Sequence, residues 1–454
     1  MVNNDKHYIR MTQAPVEPLI MRLAVPTVIS MLVSSIYNMA DTFFVSQLGT
    51  SASAAVGIVF SLMAIMQAIG FTIGMGSGIL SSRRLGAGKR DEANQIASSA
   101  VFLVIIISSL IAILGLIFCK ELMVFLGSTP TILPYALDYG SFILIACPVI
   151  CTSFVLNNLL RNEGKAFYAM LGITTGGILN IFLDPIFIFY FKLGTRGAAM
   201  ATALSQLISF IILLTMFIKK KSNLTLSVKY ISKSAKTYLN ILKTGLPSLS
   251  RQGLASIATM TLNIQAAAFG DAAVAAMSIS GRITFFLFSA LLGLGQGFQP
   301  VAGFNYGAKK YSRVKRATLF TAFFGTVVIS TLAIICFIFA RPLVSSFRKE
   351  DLDVIIIGTK ALRFQCLTLI LCGINVATNM SLQATGHIAQ ATYLALCRQG
   401  IYFLPFILIL PSKIGVLGVE IAQPLSDILT FISSLIFFIR LIKELGGKKD
   451  EDVL

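Results

Sequence analysis

AVFLVIIISSLIAILGLIFC, residues 100–119, runs for twenty residues without a charged side chain. At a rise of 1.5 Å per residue a helix of this length covers about 30 Å, the depth of bilayer hydrocarbon. The run shows no strand alternation, and backbone groups in lipid must be paired within their own segment, so it reads as a spanning helix. Apolar runs at 321–340 and 428–439 repeat the pattern. Composition agrees, with 56% hydrophobic and 12% charged residues and a mean hydropathy of +0.83. A soluble globular domain is excluded on that balance.

Working outward, apolar windows and the polar loops between them give about twelve helices. Their limits are 16–47, 53–79, 93–119, 134–160, 166–191 and 195–219, then 241–268, 273–301, 314–339, 353–382, 388–412 and 415–444. The expected architecture is an all-α polytopic membrane protein. An amino-terminal lobe covers 1–219, a linker 220–240 and a carboxy-terminal lobe 241–454. The net charge of +18 sits in the loops: with a cytoplasmic amino terminus, about 24 Lys and Arg fall on inside loops and ends against about seven outside. Positively charged loops stay inside, which makes both termini cytoplasmic in a multi-pass plasma-membrane protein. Clusters such as Arg83, Arg84, Lys89 and Arg90 then orient the chain instead of binding nucleic acid. No cleavable leader pattern precedes the first span, which is expected to be an uncleaved anchor. The seven cysteines lie in or beside apolar segments without metal or disulfide spacing, and read as packing residues.

The halves repeat each other. Pro26 pairs with Pro247 (247 − 26 = 221), and Gly49, Gly74, Gly76 and Gly86 pair with Gly270, Gly295, Gly297 and Gly307 at the same shift. Gly194 and Gly197 pair with Gly415 and Gly418 at 221, and Gly164 with Gly386 at 222. Six helices per half make the repeat parallel, about an axis along the membrane normal, an arrangement that favours transport through a cavity between two rocking bundles. Pro26 cannot donate a backbone hydrogen bond and crowds the carbonyl of Arg22, so it is a candidate hinge in the first span.

Several stretches resemble the multidrug and toxic compound extrusion (MATE) transporters. They are Pro26 followed by YNMADTFFVSQLG (37–49), the loop RRLGAGKRDEA, NIFLDPIFIF (180–189), GAAMATALSQL, and in the second half GQGFQPVAGFNYGAKKYSRVKRA with LQATG. The resemblance spans nearly the whole chain and implies two six-helix lobes in a V, with export driven by a proton or sodium gradient. Within the family the sequence looks DinF-like, because Asp41, Asn180, Asp184 and Thr202 fall on the motif positions of an amino-lobe cation site. It departs from the NorM-like pattern: in place of acidic groups in helices 7 and 10 it has Arg251, Gln252 and Asn375.

Depth arithmetic bears on the same residues. Asp41, Asp184 and Thr202 each lie seven positions from the outer end of their span, about 10 Å deep. Asn180 precedes Asp184 by four residues, on one helix face, and Asn38 precedes Asp41 by three. A charged carboxylate at that depth costs several kcal/mol unless paired or hydrated, and two together favour holding a proton. The same oxygens suit Na⁺, and the sequence leaves the coupling ion open. By the repeat, Asp41, Asp184 and Asn180 correspond to Leu262, Phe406 and Tyr402, so the second lobe offers apolar and aromatic walls instead.

The second half also carries Arg251, Arg282, Arg363 and Arg398 about 14 to 15 Å from their helix ends. They need partners, which Asp427 and Glu420 on the last helix could supply; the alternative is a site for an anionic group. Gly70, Gly74 and Gly78 read as a helix-packing stripe. GAGKR (86–90) lacks the phosphate-loop spacing, and His7 and His387 lack zinc spacing. The expected function is that of a monomeric secondary active multidrug exporter, not an enzyme. It needs no cofactor and no metal beyond a possible Na⁺, and exchanges H⁺ or Na⁺ for small amphipathic, chiefly cationic compounds. The alternative is a lipid-linked precursor flippase or an exporter of an anionic metabolite; a polytopic enzyme ranks last, because the acids lie within helices and the loops are short.

Overall fold

The structure, a computed structural model, describes residues 2–348 and 351–451, and all regular structure among them is helical. The first half runs through α1 (Val2–Gln13), α2 (Val16–Ser46), α3 (Thr50–Gly86), α4 (Arg90–Ile117), α5 (Cys119–Phe125), α6 (Leu133–Asn162), α7 (Ala166–Pro185) and α8 (Gly194–Ile218). The second half runs through α9 (Ala235–Ala267), α10 (Asp271–Gly307), α11 (Tyr311–Ile338), α12 (Ala340–Phe347), α13 (Leu352–Leu369), α14 (Cys372–Thr385), α15 (Ile388–Leu396), α16 (Phe403–Ile414) and α17 (Val416–Gly447). The repeat is kept to the residue over three pairs: α3 with α10 and α4 with α11 begin and end 221 positions apart, and α5 and α12 begin 221 apart. Gly49 and Gly270, which enter the first of these pairs, both have positive φ (108° and 94°), a conformation that favours glycine.

Among the described residues ten helices are long and apolar enough to cross a bilayer, and α13 with α14, bent by 53°, makes an eleventh when the pair is counted as one span. The bend falls inside the span expected at 353–382. There the Leu371 N–H bonds to the Thr368 carbonyl three residues back, which tightens the turn and interrupts the α ladder. The twelfth expected span, 241–268, is the second part of the 33-residue α9, whose Lys243, Arg251, Gln252 and flanking polar residues leave it short of the hydropathy of the others. Outward faces are apolar. Ile106, Leu110, Ile113 and Ile117 of α4 are 47–66% exposed, a face that suits lipid and not water.

Two compact units make up the chain: 1–8 with 29–249, and 9–28 with 250–454. The unit boundaries in space, 28/29 and 249/250, are again 221 apart and follow Pro26 and Pro247 by two residues. Each long first helix therefore begins in one unit and ends in the other. The early part of α2 packs in the second unit, where Cβ atoms added at Gly297 and Gly293 would lie 2.3 and 2.7 Å from the Cα atoms of Ala24 and Val28. The early part of α9 packs in the first unit, where a Cβ at Gly245 would lie 1.9 Å from the Thr72 carbonyl oxygen. Within the first unit Gly70, Gly74 and Gly78 face Phe154, Asn158 and Asn162 of α6, one stripe against another at four-residue spacing.

The segment after α8 is strapped onto the first unit. The Glu163 carboxylate, 1% exposed beyond the end of α6, accepts from the backbone N–H groups of Asn223 (2.8 Å) and Leu224 (3.2 Å). Asn94 Oδ1 accepts from Thr225 N (2.8 Å), Ser98 Oγ from Ser227 N (3.2 Å) and Ser99 Oγ from Ser232 N (2.8 Å). Burial pushes the Glu163 carboxyl up to about 7, against the pull of hydrogen bonds from Ser222, Asn223 and Leu224 and of the Lys165 charge.

Candidate functional site

The cluster builds from α2, α6, α7 and α8 of the first unit. Pro185 has no N–H to donate, so α7 relaxes after it into a π-helical stretch, Ile186–Tyr190, closed by the bond from Phe191 N to Ile186 O (2.9 Å). Just before that break, Asn180 and Asp184 sit one turn apart on the buried side. Asn180 Nδ2 donates to Asp184 Oδ1 (3.1 Å) and to Thr202 Oγ1 on α8 (3.3 Å), tying the two helices together. Asp184, Asn180, Asp41 and Thr202 are all buried, at 0, 3, 4 and 5% exposure. The Asp41 charge acts on Asp184 and on Tyr139, whose hydroxyl faces Thr202.

Four oxygens of this cluster lack a hydrogen-bond partner: Asp41 Oδ1, Asp184 Oδ2, Asn180 Oδ1 and the Tyr139 hydroxyl. Among the described residues neither carboxylate forms an ion pair. Buried polar atoms of native proteins are almost always satisfied, so two carboxylate oxygens with neither partner nor counter-charge leave the cluster electrostatically incomplete. A proton bridging to one carboxylate, or a hard cation taking oxygens from both with the amide and hydroxyls, would complete it. Among the described residues no group of three His, Cys, Asp or Glu gathers to hold a transition metal.

Of the residues singled out from the sequence, Asp41, Asn180, Asp184 and Thr202 are brought together. Asn38 donates its Nδ2 to the Ser34 carbonyl (2.8 Å) and meets the Tyr37 side chain. Tyr37 and the fully buried Tyr139 were missed, although both feel the Asp41 charge. Tyr37 stands one turn before Asp41, and Tyr139 stands six residues into α6, about 9 Å from its start and so at the same level as the acids. Depth alone would have found it. Pro26 lies inside the unbroken α2.

In the second unit Arg398 donates from Nε to Asp427 Oδ1 (2.8 Å), and its guanidinium lies 4.3 Å from the centre of the Phe288 ring. Glu420 takes Lys360 (3.3 Å) and not an arginine. Arg363 is exposed and rests on the Phe337 ring at 5.4 Å, which gives it a partner without an acid. Arg282 is exposed on α10 and lines, with Gln365 and Gln423, an adjoining cavity that shares Phe285, Phe288 and Arg398 with the cavity at Arg251. Arg251 lines a cavity with Asn375 and has no ion pair among the described residues. Leu262 and Phe406, the repeat counterparts of Asp41 and Asp184, pack against a small hydrophobic core, so the acidic cluster is not repeated.

A duplicated helical membrane protein with unpaired acids at one buried level is a polytopic transporter. The chain belongs to the MatE family, whose model matches residues 26–186 and again 247–409, once in each half. Among its relatives, the "Multidrug export protein MepA" of Staphylococcus saprophyticus is 25% identical over 432 residues, 95% of either chain. The protein of the same name from Staphylococcus haemolyticus is 28% identical over 400 residues, 88% of either chain. A solved outward-facing multidrug resistance MATE family transporter matches with a TM-score of 0.91 at 27% identity, covering 97% of this chain and 99% of that one.

Proposed function

We propose that the chain is a secondary active multidrug exporter of the plasma membrane, with both termini cytoplasmic, in which H⁺ or Na⁺ exchanges for amphipathic organic compounds. The observation that carries this reading is the pair of buried, unpaired carboxylate oxygens on Asp41 and Asp184. A bare charge at the centre of a spanning helix costs about 2.5–3.5 kcal/mol on insertion scales. A bound cation removes that cost in the conformation that closes the cluster, and a ligand shifts an equilibrium only by its difference in affinity between two states. The hinge for such a shift is Pro26, two residues before α2 passes from one unit to the other. Multidrug export is the named activity of the Staphylococcus relatives, and the family match over both halves supports carrying it here.

The test is dye efflux from proteoliposomes with a proton gradient and a sodium gradient imposed separately. One of the two should drive export by the native chain, and Asp41→Asn should reduce it to the level of empty vesicles while leaving the amount of folded protein unchanged. Equal export by Asp41→Asn rules out the coupling role.

A further inference from the structure

A cavity of about 130 Å³ opens within the second unit, between α9, α10, α14, α15 and α17. Phe285 and Phe288 are the aromatic residues of its lining. The lining also carries five polar atoms without a hydrogen-bond partner: both amide atoms of Asn375, Oδ1 of Asn379 and the hydroxyls of Thr430 and Ser434. Asn375, Asn379, Thr430 and Ser434 are each at least nine-tenths buried. Two arginines line the same space, and they are not equivalent. Arg398 is neutralised by Asp427 at 2.8 Å and held on Phe288. Arg251 is partly buried on α9 and has no acid among the described residues to balance it.

The charge of the cavity is therefore one positive unit, carried by Arg251. Its unpaired donors, the Arg251 N–H groups, the Asn375 amide and the Thr430 and Ser434 hydroxyls, suit the oxygens of an anion. The aromatic lining suits a flat apolar body.

We infer that this cavity binds an amphipathic monoanion, a ring or chain bearing one carboxylate, sulfonate or phosphodiester, with the acidic group on Arg251 and Asn375 and the apolar body against Phe285 and Phe288. Such a molecule compensates the lone guanidinium and satisfies the buried amide and hydroxyls in one step, which a cation cannot do. The inference goes beyond the exporter reading. It rests on that reading only for the fate of the bound molecule.

The experiment is isothermal titration of the full chain in phosphatidylcholine nanodiscs, with no gradient imposed and with empty discs as the blank. The probes are naphthalene-2-sulfonate and its cationic counterpart, 2-naphthyltrimethylammonium. The sulfonate should bind and the ammonium should not compete with it. Arg251→Gln should weaken sulfonate binding by about tenfold or more, the range of a hydrogen bond to a charged group. Arg251→Lys should recover most of it, and Asn375→Leu should weaken it with Arg251 intact. A retained melting temperature in each variant separates lost binding from lost fold. Replacing part of the phosphatidylcholine by phosphatidylglycerol assigns the source: weaker sulfonate binding that depends on Arg251 points to a lipid headgroup, and unchanged binding to a soluble amphiphile. Equal sulfonate affinity in the native chain and Arg251→Gln, or preferential binding of the ammonium, overturns the inference. Because no gradient is involved, either result leaves the role of Asp41 standing or falling on its own assay.

Discussion

Replacing Glu163 by Gln should tighten the strap at neutral pH, against the intuition that removing a charged hydrogen-bond acceptor loosens what it holds. The carboxyl is pushed up to about 7 from an ordinary 4.5, so desolvation outweighs the N–H groups of Asn223 and Leu224 that favour its charged form. A raised carboxyl value means that docking the strap favours the protonated acid. The stability it lends is complete below about pH 4.5, fades as pH rises to about 7, and is absent above that. At 1.36 kcal/mol per tenfold step, the loss approaches about 3 kcal/mol. The side-chain amide of the Glu163→Gln variant is neutral at every pH and keeps an oxygen for the same two N–H groups. At pH 8 the variant should hold the strap more firmly by up to that amount, which raises amide protection by about two orders of magnitude if local opening governs exchange. Hydrogen–deuterium exchange over residues 222–232 reads this directly, because the donors are the Asn223, Leu224, Thr225, Ser227 and Ser232 amides. The gap should shrink to less than about tenfold at pH 5, where the carboxyl is protonated in the docked strap and largely ionised only when it is released. Weaker protection in Glu163→Gln than in the native chain at pH 8 would refute the reasoning, since it would mean that the charge itself holds the strap.

Arg398→Leu should destabilise the protein by about 3–5 kcal/mol, because it leaves the buried Asp427 with only the Gln423 amide. The double change with Asp427→Leu should recover most of the loss in a melting experiment. Gly245→Ala should cost about 1–3 kcal/mol or more, since its Cβ would sit 1.9 Å from the Thr72 backbone oxygen. Gly253→Ala on the same helix, with nothing within 4 Å, is the control and should not lower the melting temperature.

Much of this was legible in the chain because spanning helices are rods of fixed rise. Counting seven residues from three helix ends placed Asp41, Asp184 and Thr202 at one depth, and four-residue spacing put Asn180 beside Asp184, where the structure has a 3.1 Å bond. The repeat was legible because glycines at helix entries and crossings recur where geometry demands them. Short elements were not: α1, α5 and α12 lie at the ends of spans and add no apolar window of their own. Tyr139 was hidden in an apolar stretch, where a tyrosine gives no signal unless its depth is counted. The Glu163 strap depends on contacts about sixty residues apart, and Glu420 found Lys360 instead of an arginine because tertiary packing, not proximity along a helix, chose the pair.

The most direct test of the central claim is to impose a gradient of the exported dye across proteoliposomes and record the opposing movement of H⁺ by a luminal pH dye and of Na⁺ by radiotracer. The native chain should drive one of these ions uphill in step with the dye, and Asp41→Asn should move neither ion above background. A native rate of ion movement in Asp41→Asn, or dye movement by the native chain with no ion in exchange, would contradict the account.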